Sequence, residues 1–223
     1  MWRQSKWLAV AELAVVVLID VADAHHLIFF SKTPYLLLLG WISLRLRGMR
    51  WRDVGLTSKF AGRRDWTRIL TLGVGAGLLM EALELFVTQP FLVRVLGKQP
   101  DLALFRSAHG NLKTTLIFIA LVWPLAAFGE EMVYRGYLMN RVADLFGRTR
   151  SAWIVSVLAV HVGFGLAHVY QGLTGVIDEG LMGVLLALLY LGTGRNLAVP
   201  IIAHGIADTT DFLLIYLGIY PGM

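Results

Sequence analysis

The chain has 223 residues, 57% of them hydrophobic and 16% charged, with a formal net charge of +5 and no cysteine. Soluble domains are closer to half apolar and a quarter charged, so this composition, with a mean hydropathy of +0.67, excludes an ordinary soluble domain and points to the membrane. The absence of cysteine excludes disulfides, thiolate catalysis and cysteine-ligated metal sites. The basic residues lie beside apolar runs without a basic–aromatic patch, so nucleic acid is not an expected partner.

At about 20 residues per crossing, the length accommodates roughly seven spans with short connections. The expected fold is all-α, a polytopic transmembrane helix bundle of about seven spans (six to eight), forming one integral membrane domain over residues 1–223. Span one covers about 7–24. It follows a basic start and resembles a signal peptide, but no Ala-x-Ala-like site ends it, so it reads as a retained span. Glu12, Asp20, Asp23, His25 and His26 read as a polar membrane exit rather than a proton or metal site. Span two covers about 34–46.

The stretch 45–68 then carries Arg45, Arg47, Arg50, Arg52, Lys59, Arg63, Arg64 and Arg68. A short loop this basic is expected in the cytoplasm. Arg3 and Lys6 put the N-terminus on the same side, in a multi-pass protein of the cell (inner) membrane. Span three, about 69–87, contains Gly73, Gly75 and Gly77, which suit close helix approach, together with Glu81 and Glu84. Residues 88–113 read as lying outside or along the interface, with Pro90 and Pro100 breaking helices.

Span four starts near Thr114, meets a possible kink at Pro124 and enters Ala127-Phe-Gly-Glu-Glu-Met-Val-Tyr-Arg-Gly136. Its helical pattern reaches about Phe146 before the basic turn 147–150. Ionisable groups at membrane depth cost roughly 2.5 kcal/mol or more unless they are paired or face water. Residues four apart share a helix face, so Glu131 can pair with Arg135 while Glu130 points about 100° away. The bland alternative is a structural ion-pair cluster between helices. Span five, about 152–169, carries His161 and His168. In a hairpin turning near Thr149, Glu130 and His168 are both 19 positions from the turn and so at one depth.

Span six covers about 181–191, with a start as early as Leu173, and has Asp178 and Glu179 at its beginning. Span seven, about 197–217, contains His204 and Asp208 on one face, Gly205 where missing bulk would open a cavity, and Asp211 out of phase with Asp208. Glu130, His168, His204 and Asp208 around one polar cavity suit two chemistries. A buried carboxylate and imidazole can activate water, and imidazole N–H groups can stabilise an oxyanion. The same residue types can also ligate zinc, but no His-Glu-x-x-His pair supports that.

These residues resemble the CPBP (CAAX-processing and bacteriocin-processing, or Abi) family of intramembrane glutamic endopeptidases. Its Glu-Glu-x-x-x-Arg motif corresponds to Glu130-Glu131-Met-Val-Tyr-Arg135, followed by Gly136. Its Phe-x-x-x-His motif corresponds to Phe164-Gly-Leu-Ala-His168, and its third motif to His204-Gly-Ile-Ala-Asp208. Thr193-Gly-Arg-Asn-Leu-Ala-Val-Pro200 resembles the lead-in to that third motif. The motif-bearing core is about 113–218.

The resemblance implies that Glu130 and His168 activate the hydrolytic water and that His204 and Asp208 form the oxyanion site. Glu131, Arg135 and Phe164 would support them, with no metal or cofactor. The substrate would be a peptide or membrane-anchored protein, lipidated in some members, cleaved toward the cytosolic side. CAAX-processing members carry Asn at the position of Asp208. An ionised Asp cannot donate to an oxyanion, so Asp208 is either protonated or orients His204. Two other classes share these features: a non-catalytic scaffold or bacteriocin-immunity protein of the same fold, and a proton-coupled transporter.

Overall fold

The computed structural model describes residues 5–56 and 63–223, with side chains from Trp66 onward in the second stretch. Among the described residues the regular structure is entirely helical. Helix α1 (Lys6–Ala24) and α2 (Thr33–Leu46) form the first hairpin. Helix α3 (Arg63–Leu83) continues through a π-helical turn, Glu84–Thr88, into α4 (Gln89–Leu96). Helix α5 (Leu112–Val122) runs through a long π-helical segment, Trp123–Leu138, into α6 (Met139–Leu145). Helices α7 (Arg150–Leu166), α8 (Gly172–Gly192) and α9 (Ala198–Leu217) complete seven helical rods among the described residues.

Four rods are long and apolar enough to cross a membrane: Trp66–Leu96, Leu112–Leu145, Val169–Gly192 and Ala198–Leu217. Helices α2 and α7 are shorter apolar helices. The outward faces carry Trp7, Leu18, Leu79, Phe86, Leu158 and Val162, as lipid contact requires. The expected all-α bundle is therefore the observed architecture: seven rods among the described residues, four of them of membrane-crossing length and hydropathy. Arg3 and Lys59 lie outside the described residues, as do the side chains of Arg63 and Arg64.

Three local expectations need correction. Pro90 does not break the third rod. It occupies the first turn of α4 directly after the π turn, where a missing N–H interrupts little of the hydrogen-bond ladder. Pro124 likewise stands in the first turn of the longer π segment. Helix α7 stops at Leu166, so His168 lies beyond its end rather than inside a span. Glu12 is no membrane exit: it is buried, paired with Arg47 at 2.5 Å and accepting from Ser43 Oγ at 2.9 Å.

The bundle has two distinct ends. At one, the α8–α9 loop meets the segment after α2: Leu197 N–H donates to Gly55 O at 3.1 Å and Tyr190 OH to Val54 O at 2.8 Å. The guanidinium groups of Arg148 and Arg195 both lie over Trp153, 5.1 and 5.6 Å from its ring, bringing the α6–α7 turn to the same end. At the other end, Lys32 reaches Ala167 O at 3.4 Å and Asp20 at 3.5 Å. There too Asp101 N–H donates to Gln171 O at 2.9 Å and Gly110 N–H to Tyr216 O at 3.0 Å.

Helix α3 packs most extensively on α9. At Gly73 an added Cβ would meet Ile202 at 2.7 Å, and at Gly77 it would meet Ala203 O at 2.5 Å, whereas Gly75 faces open space. Two of the three glycines thus set the approach of the helix that carries His204 and Asp208. Gly77→Val is expected to lower stability by about 1–3 kcal/mol through overpacking against backbone that cannot yield. Gly75→Ala should be neutral or stabilising by up to about 1 kcal/mol. Thermal unfolding of the purified variants in detergent checks both, and equal destabilisation would contradict the packing assignment.

Candidate active site

The π segment sets the phase of the first motif. Glu131 is fully buried and accepts from Arg135 Nη1 at 2.6 Å; both side chains are 0% exposed. Arg135 Nη2 donates to Gly183 O of α8 at 2.9 Å, and its guanidinium lies 5.0 Å from the centre of the Phe164 ring. Gly183 admits this contact, since a Cβ there would sit 2.9 Å from Phe164 and 3.3 Å from Arg135 Nη2. Glu130, one position earlier, turns away from the pair and stands half-buried in the wall of a cavity.

The second motif starts from the α6–α7 turn. Gly147 and Arg148 both take positive φ there, and Thr149 Oγ1 caps α7 by accepting from Ala152 N–H at 3.1 Å. Ser156 Oγ donates to Met139 O at 2.6 Å, so α7 runs back along α6 and the π segment. Phe164 is buried edge-on against Tyr134, with ring centres 4.8 Å apart. His168 also packs against Phe164, with ring centres 4.8 Å apart, and its Nδ1 lies 2.9 Å from Phe164 O. A carbonyl only accepts, so Nδ1 carries the proton. In the neutral ring Nε2 is then left as an acceptor. The Phe-x-x-x-His spacing thus fixes both the ring orientation and the tautomer of His168.

The third motif lies on α9. His204 Nδ1 is 2.9 Å from Glu131 Oε1, the oxygen that also accepts from Arg135. On its other side His204 Nε2 is 3.5 Å from Asp208 Oδ2, an ion-pair separation. Glu131 therefore binds two motif partners, Arg135 on its own helix and His204 across the bundle. The second contact had no sequence signal, because it depends on how α9 docks on the π segment. Gly205 does not open the cavity: the Trp123 indole fills the space, 2.8 Å from where its Cβ would be, and Trp123 Nε1 donates to Thr209 at 3.2 Å. His161 is buried behind the site, with Nδ1 2.6 Å from Val157 O and Nε2 without a partner.

Glu130, Phe164, His168, His204 and Asp208 share one cavity of about 190 Å³. Its lining also includes Glu84, Asp178, Glu179 and Asp211, but no lysine or arginine. Donors on this wall are few. Thr88 Oγ1 donates to Asp178 at 2.7 Å, Gln89 Nε2 to Glu84 at 2.9 Å, Tyr220 OH to Glu84 at 3.1 Å and Gln171 Nε2 to Glu179 at 2.8 Å. Both oxygens of buried Glu81, behind this wall, lack a donor. Asp211, expected out of phase with Asp208, lines the same cavity. The sequence trace of this wall is the run of intramembrane acids Glu81, Glu84, Asp178 and Asp211, which periodicity alone cannot orient across three helices. Among the described residues no group of three or more His, Asp or Glu is arranged to hold a metal ion.

The fold and site together define a membrane-embedded helix bundle with a polar internal cavity, where a carboxylate and an imidazole acceptor stand opposite a second, carboxylate-held imidazole. The family model described as Rce1-like, type II CAAX prenyl endopeptidase Rce1-like, matches residues 112–210, the segment that carries all three motifs. The match agrees with the resemblance drawn from those motifs and covers a little under half of the chain. No curated protein and no solved structure matches the chain.

Arg135→Met would leave the buried Glu131 carboxylate short of its nearest cation and is expected to cost about 3 kcal/mol or more. Arg135→Lys keeps the charge but not the fork that reaches Glu131 and Gly183 O together, so it should restore only part of that loss. The double variant Glu131→Gln/Arg135→Met should be more stable than Arg135→Met alone. Thermal unfolding in detergent measures all three, and an unperturbed Arg135→Met would refute the pairing.

Proposed function

We propose that this chain is an intramembrane endopeptidase that hydrolyses a peptide bond with a water activated by Glu130 and His168. The observation that supports the reading most directly is convergence. The π segment, the end of α7 and α9 each bring a motif side chain to one cavity, inside a segment that matches a peptidase family. The substrate class is a membrane-anchored peptide or protein, prenylated or otherwise lipidated, delivered to a cavity surrounded by lipid-facing helices.

In this mechanism a water sits between the Glu130 carboxylate and His168 Nε2, and its oxygen attacks the scissile carbonyl carbon as Glu130 takes the proton. His168, held through Nδ1 by Phe164 O, keeps its acceptor nitrogen toward that water. The carbonyl π electrons move to oxygen, and a donating N–H of His204 faces the oxyanion. Collapse of the tetrahedral species breaks the C–N bond, and the proton held by Glu130 passes to the leaving amine. Glu131, bonded to His204 Nδ1, orients the ring, and Asp208 borders its other nitrogen.

Glu130→Gln and His168→Ala should each lower kcat on a cleaved peptide by about a hundredfold or more, the range expected for losing a general base or its partner, with thermal stability retained. A peptide-library cleavage assay with purified protein supplies the substrate, and cleavage that survives both substitutions would refute the proposal. A second expectation concerns Asp208. Because Glu131 rather than Asp208 makes the hydrogen bond to His204, Asp208→Asn should keep kcat/KM within about tenfold. A folded but inactive Asp208→Asn variant would instead make the Asp208 carboxylate the group that positions His204.

A further inference from the structure

The geometry points to a binding site for the phosphate of an anionic glycerophospholipid, in a basic pocket between the start of α1, the end of α2 and the α6–α7 turn. The pocket has a volume of about 740 Å³ and shares no lining residue with the cavity of Glu130 and His168, so it stands apart from the peptidase reading. Lys6, Arg47, Arg141 and Arg148 line it, with Asp144 as the single acid among the described residues of its lining.

The turn after α6 builds one wall. The helix ends at Leu145, and Gly147 and Arg148 follow with φ of 76° and 57°. Positive φ suits glycine and is uncommon for other residues, and the side-chain bonds of Arg148 help hold it there. They run back to the helix just left: Nη1 donates to Asp144 Oδ1 at 2.6 Å and Nη2 to Asn140 Oδ1 at 2.7 Å. The other Asp144 oxygen, Oδ2, lies 2.9 Å from Arg141 Nη2. Arg141 is only 1% exposed, and its Nε has no acceptor among the described residues. From α2, Arg47 is held by Glu12 at 2.5 Å.

The charges do not balance. Glu12 answers Arg47, Asp144 is shared by Arg141 and Arg148, and exposed Lys6 has no ion pair among the described residues, which leaves two positive charges over. Like charges gathered in one pocket repel, and a buried guanidinium with a bare nitrogen is costly. A phosphodiester supplies what is missing: negative charge, and several acceptor oxygens in a geometry that suits the guanidinium fork.

The location selects a lipid over a free anion. Trp7, next to Lys6, is 83% exposed, and Val10, Leu46 and Phe146 also present apolar side chains at these ends of α1, α2 and α6. Basic groups beside an exposed tryptophan mark the headgroup layer, and apolar side chains next to them suit acyl chains. The rod that ends at Leu145 is long and apolar enough to cross a membrane, which brings its end to that layer. A phosphate among Lys6, Arg141 and Arg148 would tie the first hairpin to the rod that carries the Glu131 cluster. Tyr137 OH, 3.4 Å from Glu12, already links the two.

Purified protein in detergent, titrated with dioleoyl phosphatidylglycerol or dioleoyl phosphatidylcholine, tests this by native mass spectrometry and thermal unfolding. Phosphatidylglycerol should be retained and should raise the unfolding temperature, and phosphatidylcholine should do neither. Lys6→Gln should weaken phosphatidylglycerol binding by about fivefold, and the pair Lys6→Gln/Arg148→Gln by about thirtyfold. Lys113→Gln, an exposed charge at the other end of the α5–α6 rod, should leave it unchanged. Equal retention of the two lipids, or equal losses in Lys6→Gln and Lys113→Gln, would overturn the proposal, because binding would then be diffuse. A matching rise in unfolding temperature with inorganic phosphate alone would overturn the lipid assignment. If the double variant does not fold, Lys6→Gln carries the test, since it removes an exposed charge outside every described ion pair.

Discussion

One carboxylate organises the site. Glu131 is wholly enclosed, yet a single oxygen accepts from Arg135 on its own helix and lies within bonding distance of His204 on α9. Arg135 in turn reaches the backbone of α8 at Gly183 and lies against Phe164 of α7. Four rods are therefore joined through one buried charge cluster. Such a cluster tolerates no loose geometry, because an unsatisfied charge at this depth costs several kcal/mol. The rigidity follows from that penalty, and the ring of His204 and the backbone that carries Glu130 inherit it.

The candidate catalytic groups are set in place by features that look minor one at a time. The π-helical stretch Trp123–Leu138 changes the angular step along the fourth rod, letting Glu131 point inward to the ion pair and Glu130 toward the cavity. Phe164 packs against both Arg135 and His168, joining the buried ion pair to the second motif. The close α3–α9 approach at Gly73 and Gly77 brings Glu84 and Glu81 up to the acids of α9. The result is a cavity with many carboxylates, few donors and no lysine or arginine lining it. Burying such a wall without compensation would be prohibitive, so contact with water is part of how it is tolerated.

Asp208 stands beside His204 Nε2 while Glu131 holds Nδ1, so the ring lies between two carboxylates. This is also the one motif position where the sequence departs from the Asn of the CAAX-processing members it resembles, so the role of that side chain is the point at which this constellation and the family's pattern part.

Much of this protein was legible from residues alone. Hydrophobic run length determines where an isolated helix can cross a bilayer, so the helical rods and the basic turn at 147–150 could be read directly. Helical periodicity was enough to pair Glu131 with Arg135 and to turn Glu130 away. The sequence could not show that Glu131 also holds His204, that Trp123 fills the space left by Gly205, or that Asp211 joins Asp208 in one cavity. Nor could it show that Pro90 is absorbed into a continuous rod. These depend on the rotation and docking of one helix against another, which short-range periodicity leaves free and which only the packing of all the rods around the buried Glu131 cluster decides.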